Sequence, residues 1–336
     1  MSLAAGFVSA SEFKRYADPA TELEVVRLTN PVFASGLTAP SNHQFTRRGD
    51  ALFYWSERDG TRQIYHLDLK SGASKQLTSA AALDATCFAV SPDDRYLYFF
   101  DGPVLQSVTI SSLKPRELYT VPGGSERAGL TVAADGTVLF AEGSRIVRVG
   151  MTNTGPIIAN AGKIDLVMAR PRHAQLLCRQ DGVLWLVNTD GTGKKQISPE
   201  AGATGQAMWS PSGHTLLYLH IPEDPKQLTT LREYAPEEAT DRLIARTSQF
   251  ASFAPNGDSS VFAGASRSKA SAYVLILLRV TRRELTLCEH RASDPAIVTL
   301  VFPPDSQSII FVSDRHGKPA LYRVPLEKFV EETSDE

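Results

Sequence analysis

The 336-residue sequence predicts an all-β fold, a seven-bladed β-propeller, on three observations. A turn signature recurs along the chain, its copies stand at an almost regular spacing, and an N-terminal strand matches the outer strand that the last repeat lacks. The signature has the form Ser-Pro-Asp-Gly and sits between two apolar runs. It is found at Arg48-Gly49-Asp50, Ser91-Pro92-Asp93-Asp94, Ala133-Ala134-Asp135-Gly136, Arg170-Pro171-Arg172-His173, Ser210-Pro211-Ser212-Gly213, Ala254-Pro255-Asn256-Gly257 and Pro303-Pro304-Asp305-Ser306. Proline presets the first central φ of such a turn, while Asp, Asn and Gly accept the conformations that follow. Taking positions 48, 92, 134, 171, 211, 255 and 304 as equivalent, the gaps are 44, 42, 37, 40, 44 and 49 residues, the length of a blade with four short strands.

Within each unit an inner strand precedes the turn, as at 86–90, 207–210 and 299–302, and a second strand follows it, as at 96–100, 215–220 and 309–312. A hairpin of two more strands completes the blade, as in 183–188 and 195–198 around Asp190-Gly191-Thr192-Gly193. The clearest units are Leu52 to Leu69 (LFYWSERDGTRQIYHLDL) and Ile309 to Leu326 (IIFVSDRHGKPALYRVPL). The seventh unit has no outer strand of its own, and Glu24 to Thr29 (EVVRLT) matches the outer strand SKQLT at 74–78. The N-terminal strand is therefore expected to complete blade seven and leave no sheet edge open. Residues 1–336 read as one domain, with blades over about 22–326 and an acidic tail at 327–336. Two departures stand out: a Pro-rich excursion on blade five at 221–239, and Arg267 to Ala270 before the apolar run 273–278.

A formal charge of −2 leaves no basic excess to neutralise phosphates, and no block of like charge suits a membrane surface, so neither nucleic acid nor membrane is expected as a partner. Cys87, Cys178 and Cys288 are odd in number, far apart and set in apolar runs, which fits buried thiols and a reducing compartment. The N-terminal stretch has no basic run before its weak apolar segment and reads as neither signal nor span. The expected location is the cytoplasm, with the periplasm open should a leader precede this sequence. There is no G-x-S-x-G elbow, no phosphate loop and no H-E-x-x-H pair, and the blades leave no room for an added hydrolase domain.

The units at 56–78 and 313–326 resemble TolB-like propeller repeats. Tyr16-Ala17-Asp18-Pro19-Ala20-Thr21, Val26-Arg27-Leu28-Thr29, the blade-one unit, Phe311-Val312-Ser313-Asp314 and Pro319-Ala320-Leu321-Tyr322 are similar to the corresponding segments of bacterial oligogalacturonate lyases. That resemblance implies β-elimination on short pectic chains: a divalent cation such as manganese grips the uronate carboxylate, and a histidine removes the adjacent proton. It further implies a metal shell of three histidines and a glutamine on the last two blades. Here those positions fall on Phe250, Ile297, Thr299 and Asp294, so no cofactor is expected to be held. The family's base position falls on His220, which is either that base or a strand-end residue.

His43 could line the central mouth or be an ordinary hydrogen-bonded loop histidine. Asp165, Gln206, Gln249 and Asp294 stand at inner-strand positions where propellers usually take ligands, so with His43 they form the substrate-binding set, some of them structural. Trp55, Trp185 and Trp209 read as blade-packing aromatics rather than sugar platforms. The expected function is binding, and in the active case cleaving, a small acidic oligosaccharide as a carbon–oxygen lyase. A non-catalytic interaction propeller with a protein partner, and an enzyme with reorganised chemistry in the central pocket, stay open.

Overall fold

The computed structural model describes residues 4–123, 125–150, 154–159, 162–197, 202–224, 226–247, 250–268 and 270–326, apart from the side chains of Thr86 and Ala159. Its strands form seven antiparallel sheets, five of four strands and two of five. From the axis outward, strands a to d of blade two are Leu83–Val90, Tyr96–Asp101, Val104–Thr109 and Pro115–Thr120, and those of blade three are Arg127–Val132, Val138–Glu142, Arg145–Val149 and Thr154–Ala159. Blade four has Ile164–Ala169, Gln175–Gln180, Val183–Asn188 and Lys195–Ile197. Blade five has Ala203–Trp209, Leu216–Ile221, Thr230–Ala235 and Thr240–Arg246. Blade six has Phe250–Pro255, Val261–Ser266, Tyr273–Leu278 and Arg283–Glu289. The only helical element among the described residues is a 3-10 turn, Pro295–Ile297.

Blades one and seven carry the chain ends. Blade seven has Leu300–Val301, Ser308–Ser313 and Ala320–Pro325, then the N-terminal Glu24–Arg27 as its fourth strand, with Val26 opposite Arg323 and Arg27 opposite Tyr322. Closure by the N-terminal strand is thus observed. Two further additions go beyond the sequence reading: Lys14–Ala17 forms a fifth strand on blade seven, and Val8–Ser9 pairs with Ser74–Gln76 at the rim of blade one. The excursion on blade five is shorter than expected, because Thr230–Ala235 within it is strand c. The acidic tail at 327–336 lies outside the described residues.

Why these segments stack as blades follows from their alternation. In a strand, successive side chains point to opposite faces, and strand b is buried on both. Ile309 and Phe311 pack with blade six residues such as Ile276 and Leu287, whereas Ile310 and Val312 pack with Leu52 and Tyr54 of blade one. Each such side chain contributes about 1.5–3 kcal/mol on full burial, so the ring is held by its blade-to-blade faces. Every first turn closes by a backbone hydrogen bond from the fourth residue to the first, such as Gly213 N–H to Ser210 O at 2.8 Å and Asp94 N–H to Ser91 O at 3.0 Å.

The inner strands pose a separate problem, since their axial edges have no further strand to pair with. Polar side chains of one blade meet the backbone of the next. The Thr38 hydroxyl donates to Phe88 O at 2.7 Å, and Asn42 Nδ2 donates to Leu130 O at 2.7 Å and Phe88 O at 2.9 Å. Ala169 N–H donates to the Thr131 hydroxyl at 3.2 Å, and the Ser252 hydroxyl donates to Val298 O at 2.7 Å. These clamps satisfy backbone groups that would otherwise face the axis unpaired.

Candidate functional site

The ring has two faces. The a-to-b turns gather on one, and the ends of strand b, with the connections into each new inner strand, gather on the other. Polar residues mark this second face in every blade: Ser56, Asp101, Glu142, Gln180, His220, Ser266 and Ser313 stand last or next to last in strand b. Blades two to four pair their charges there. Arg127 lies 3.9 Å from Asp84, Arg179 Nε donates to Asp165 at 2.8 Å, and Lys163 meets Glu126 at 2.6 Å. Glu142, buried, accepts from the Tyr119 hydroxyl at 2.9 Å and from Arg145 at 2.5 Å.

Blade five supplies the histidine. His220 is only 5% exposed, opposite Thr230 in the ladder, with Nδ1 3.5 Å from the Thr230 hydroxyl. Over the other nitrogen the backbone comes close: a Cβ at Gly202 would lie 2.7 Å from His220 Nε2, and Gly202 holds a φ of +133°. Glycine at 202 therefore lets the backbone pack against that edge of the imidazole, in a conformation other residues rarely adopt. Neither Gly202 nor Thr230 carries a motif, and the pairing register is what brings both to His220. Arg267 stands just past strand b of the neighbouring blade six, and Nη2 donates to Phe250 O at 3.4 Å.

The remaining expected site residues are dispersed. Asp165 is exposed at the start of its inner strand and tied to Arg179. Gln206 acts as the clamp between blades five and six: Nε2 donates to Phe253 O at 2.9 Å, and Oε1 accepts from Phe253 N–H at 3.0 Å. Asp294 caps the 3-10 turn through a 2.9 Å bond from Ala296 N–H. His43 does not precede the blade-one inner strand, which is the short pair Ser35–Gly36. It follows that strand and lies on the turn face, with Nε2 3.4 Å from Asp94. The blade-one axial segment is irregular after Gly36, which is why its polar residues fall out of step with the repeat. Gln249 lies outside the described residues.

At the positions that the family resemblance marks for a metal, Phe250 is buried against Gly264, where a Cβ would lie 2.3 Å from its ring. Ile297 belongs to the 3-10 turn, and the Asp294 carboxylate is engaged by its cap. Among the described residues no group of three or more His, Cys, Asp or Glu is placed to hold a metal ion. Those side chains do not fit a divalent cation as a shell of that composition. The tryptophans pack as the sequence suggests: Trp55 covers Gly36, Trp209 is 6% exposed, and Trp185 carries Lys194 Nζ 4.3 Å from its ring. All three cysteines are free thiols, and burial pushes Cys178 up to about 11.

Against known proteins, the family model described as oligogalacturonate lyase matches residues 3–148. An oligogalacturonide lyase of Pectobacterium atrosepticum is 24% identical, over 92% of this chain and 95% of its own length. The oligogalacturonate lyase of Dickeya dadantii is 22% identical, over 95% and 97%. Among solved structures, an oligogalacturonate lyase in complex with manganese superposes with a TM-score of 0.88 at 22% identity, covering 97% of this chain and 99% of that one. The oligogalacturonate lyase of Vibrio parahaemolyticus gives 0.89 at 20% identity, covering 98% and 100%. The structural likeness carries the seven-bladed fold. The manganese complex also corrects one sequence expectation. The substitutions at 250, 297 and 299 suggested that no cofactor is held, whereas a solved relative of this fold holds manganese, which points to a divalent metal.

Proposed function

We propose that this oligogalacturonate lyase-like seven-bladed propeller acts on short uronate chains at the face bearing His220, cleaving them by β-elimination. The observation that supports the reading is His220 itself, a buried imidazole held at Nδ1 by Thr230 with Gly202 against its other nitrogen. In the elimination, the proton on the carbon next to the uronate carboxylate passes to the imidazole. The electron pair of that C–H bond forms the new C=C bond, and the glycosidic C–O bond breaks, its electrons leaving with the departing sugar's oxygen. Thr230 holds the ring in place. Arg267, on the adjacent blade at the same face, is the cation we assign to the substrate carboxylate, since a guanidinium pairs with a carboxylate through two parallel hydrogen bonds.

One oligogalacturonate lyase of the same fold is solved in complex with manganese. The test therefore runs with and without added manganese. Digalacturonate is offered to the wild type and to His220→Ala, and the unsaturated product is read by its ultraviolet absorbance. The expected result is turnover by the wild type that falls about 100- to 10,000-fold in the variant, the usual worth of a positioned general base. Equal rates in the two proteins would remove His220 from the chemistry.

A further inference from the structure

We propose that the opposite, turn-side mouth of the central channel is a second binding site, for a small carboxylate-bearing sugar or comparable ring acid. It is distinct from the His220 face and goes beyond the lyase reading. A cavity of about 700 Å³ opens there, ringed by the a-to-b turns of the blades, so its lining comes from the end of each inner strand remote from His220. That volume suits a monosaccharide acid with its solvent.

Two features of the lining choose the ligand class. First, the charged side chains of its wall are arginines. Arg47, Arg172 and His43 line the mouth and no Asp or Glu does. Only Asp94 reaches it, accepting from His43 Nε2 and from Arg47 N–H, while the guanidinium groups of Arg47 and Arg172 have no carboxylate partner among the described residues. Second, the rest of the wall is largely apolar, including Val90, Met208, Trp209, Leu300, Val301 and Phe302. A bare hydrated anion gains nothing from such a wall, whereas a sugar ring buries its C–H face against it. A third arginine, Arg170, is 1% exposed and already committed: it donates to Gly213 O at 2.6 Å and Gln175 Oε1 at 2.7 Å, meets Glu237 at 2.7 Å, and lies 5.0 Å over the Trp209 ring. It fixes Trp209 and leaves the pairing role to Arg47 and Arg172.

Isothermal titration with galacturonate tests the assignment, because the monomer has no glycosidic bond to cleave and binding is read apart from turnover. The proteins are the wild type, Arg47→Ala/Arg172→Ala, Trp209→Phe and His220→Ala, each checked for an unchanged melting profile. The two exposed arginines leave the fold intact, and digalacturonate turnover in the double variant should match the wild type. The expected result is one saturable site whose Kd rises about tenfold or more in the double variant, rises several-fold in Trp209→Phe, and is unchanged in His220→Ala. Absence of saturable binding, equal affinity in the double variant, or loss of binding in His220→Ala would each overturn the second site. Inorganic phosphate competing one for one with galacturonate would overturn the ring-acid class. Because turnover is followed by absorbance on a different substrate, failure here leaves the His220 reading to stand or fall on its own.

Discussion

Arg315 lies with its guanidinium 3.6 Å from the carboxylate of Asp18, both side chains almost fully buried at 4% and 0% exposure, and this pair fastens the N-terminal arm to blade seven. Arg315 also donates to Glu289 O at 2.6 Å and stands 5.2 Å over the Tyr16 ring, so one side chain joins strand d of blade six to the arm. The same device recurs on blade one. Arg58, at the matching place in Ser56-Glu57-Arg58 against Ser313-Asp314-Arg315, donates to Glu12 at 2.9 Å and Tyr54 at 2.8 Å, contacts Ser9, and lies 4.9 Å over Tyr65. One repeat position thus holds both added N-terminal strands.

Removing one partner of a buried pair strands the other charge, which costs about 3–5 kcal/mol, whereas replacing both with neutral groups costs much less. Arg315→Met should lower the urea midpoint strongly and expose residues 10–20 to protease. Arg315→Met/Asp18→Asn should recover much of the loss. A double variant as unstable as the single one would show that Arg315 acts through packing on Tyr16 rather than through Asp18.

His290 should make stability fall in mild acid. It is fully buried, Nε2 donating to Ser266 O at 3.2 Å and Nδ1 accepting from Ala292 N–H at 3.1 Å, which requires the neutral ring. Burial holds its pKa below the ordinary 6.5; the nearby Arg315 acts in the same sense, and the Ser266 carbonyl and Asp314 oppose. Since the folded pKa is lowered, the unfolded chain binds the proton first. The contribution is whole above about pH 6.5 and is lost as pH drops toward the folded pKa, with a slope of up to about 1.4 kcal/mol per pH unit. His66, His173 and His316 shift in the same direction, so the wild type should be compared with His290→Gln. The stability gap between the two should narrow from pH 7.5 to pH 5, and a constant gap would clear His290.

Gln206 should matter to the ring and not to the substrate. Its two bonds to Phe253 are worth about 0.5–1.5 kcal/mol each, so Gln206→Leu should cost about 1–3 kcal/mol in a denaturant titration while leaving KM for digalacturonate unchanged. A raised KM at unchanged stability would return Gln206 to the substrate.

Much of the fold could be read from the chain because the repeat is written in residues whose conformational bias is local. Proline, Asp, Asn and Gly mark the seven turns, and strands such as Ile309 to Ser313 announce burial on both faces. The arm strands at Val8–Ser9 and Lys14–Ala17 were not readable, since tertiary contacts from Arg58 and Arg315 place them and no apolar period does. The substrate-binding set suffered from a related ambiguity. A polar side chain at an inner strand can face a ligand or clamp the next blade, and Gln206 and Asp294 are engaged by backbone N–H and C=O groups that the sequence does not show. His43 lines the turn-side mouth of the channel, and which face it would take was not readable because the blade-one segment from Leu37 to Phe45 is not a strand that keeps register with its repeat. His220 was found through a resemblance, while its neighbours Gly202 and Thr230 needed the register of blade five.

Gly202 gives the sharpest test of how the imidazole is presented. Its φ of +133° is strained for any other residue, and an added Cβ would approach Ile221 O at 2.6 Å as well as His220 Nε2 at 2.7 Å. Gly202→Ala should therefore shift the local backbone or press a methyl group onto His220 Nε2. Strain at such a position costs of order 1–3 kcal/mol, which a ring with seven buried blade interfaces tolerates, so the variant should fold. On the lyase reading, kcat on digalacturonate should drop at least tenfold, because proton transfer depends on close and aligned approach. Galacturonate binding at the turn-side mouth should be unaffected, since none of its lining comes from residue 202. A Gly202→Ala protein that melts a few degrees lower yet turns over like the wild type would show that the Nε2 edge is not where substrate approaches.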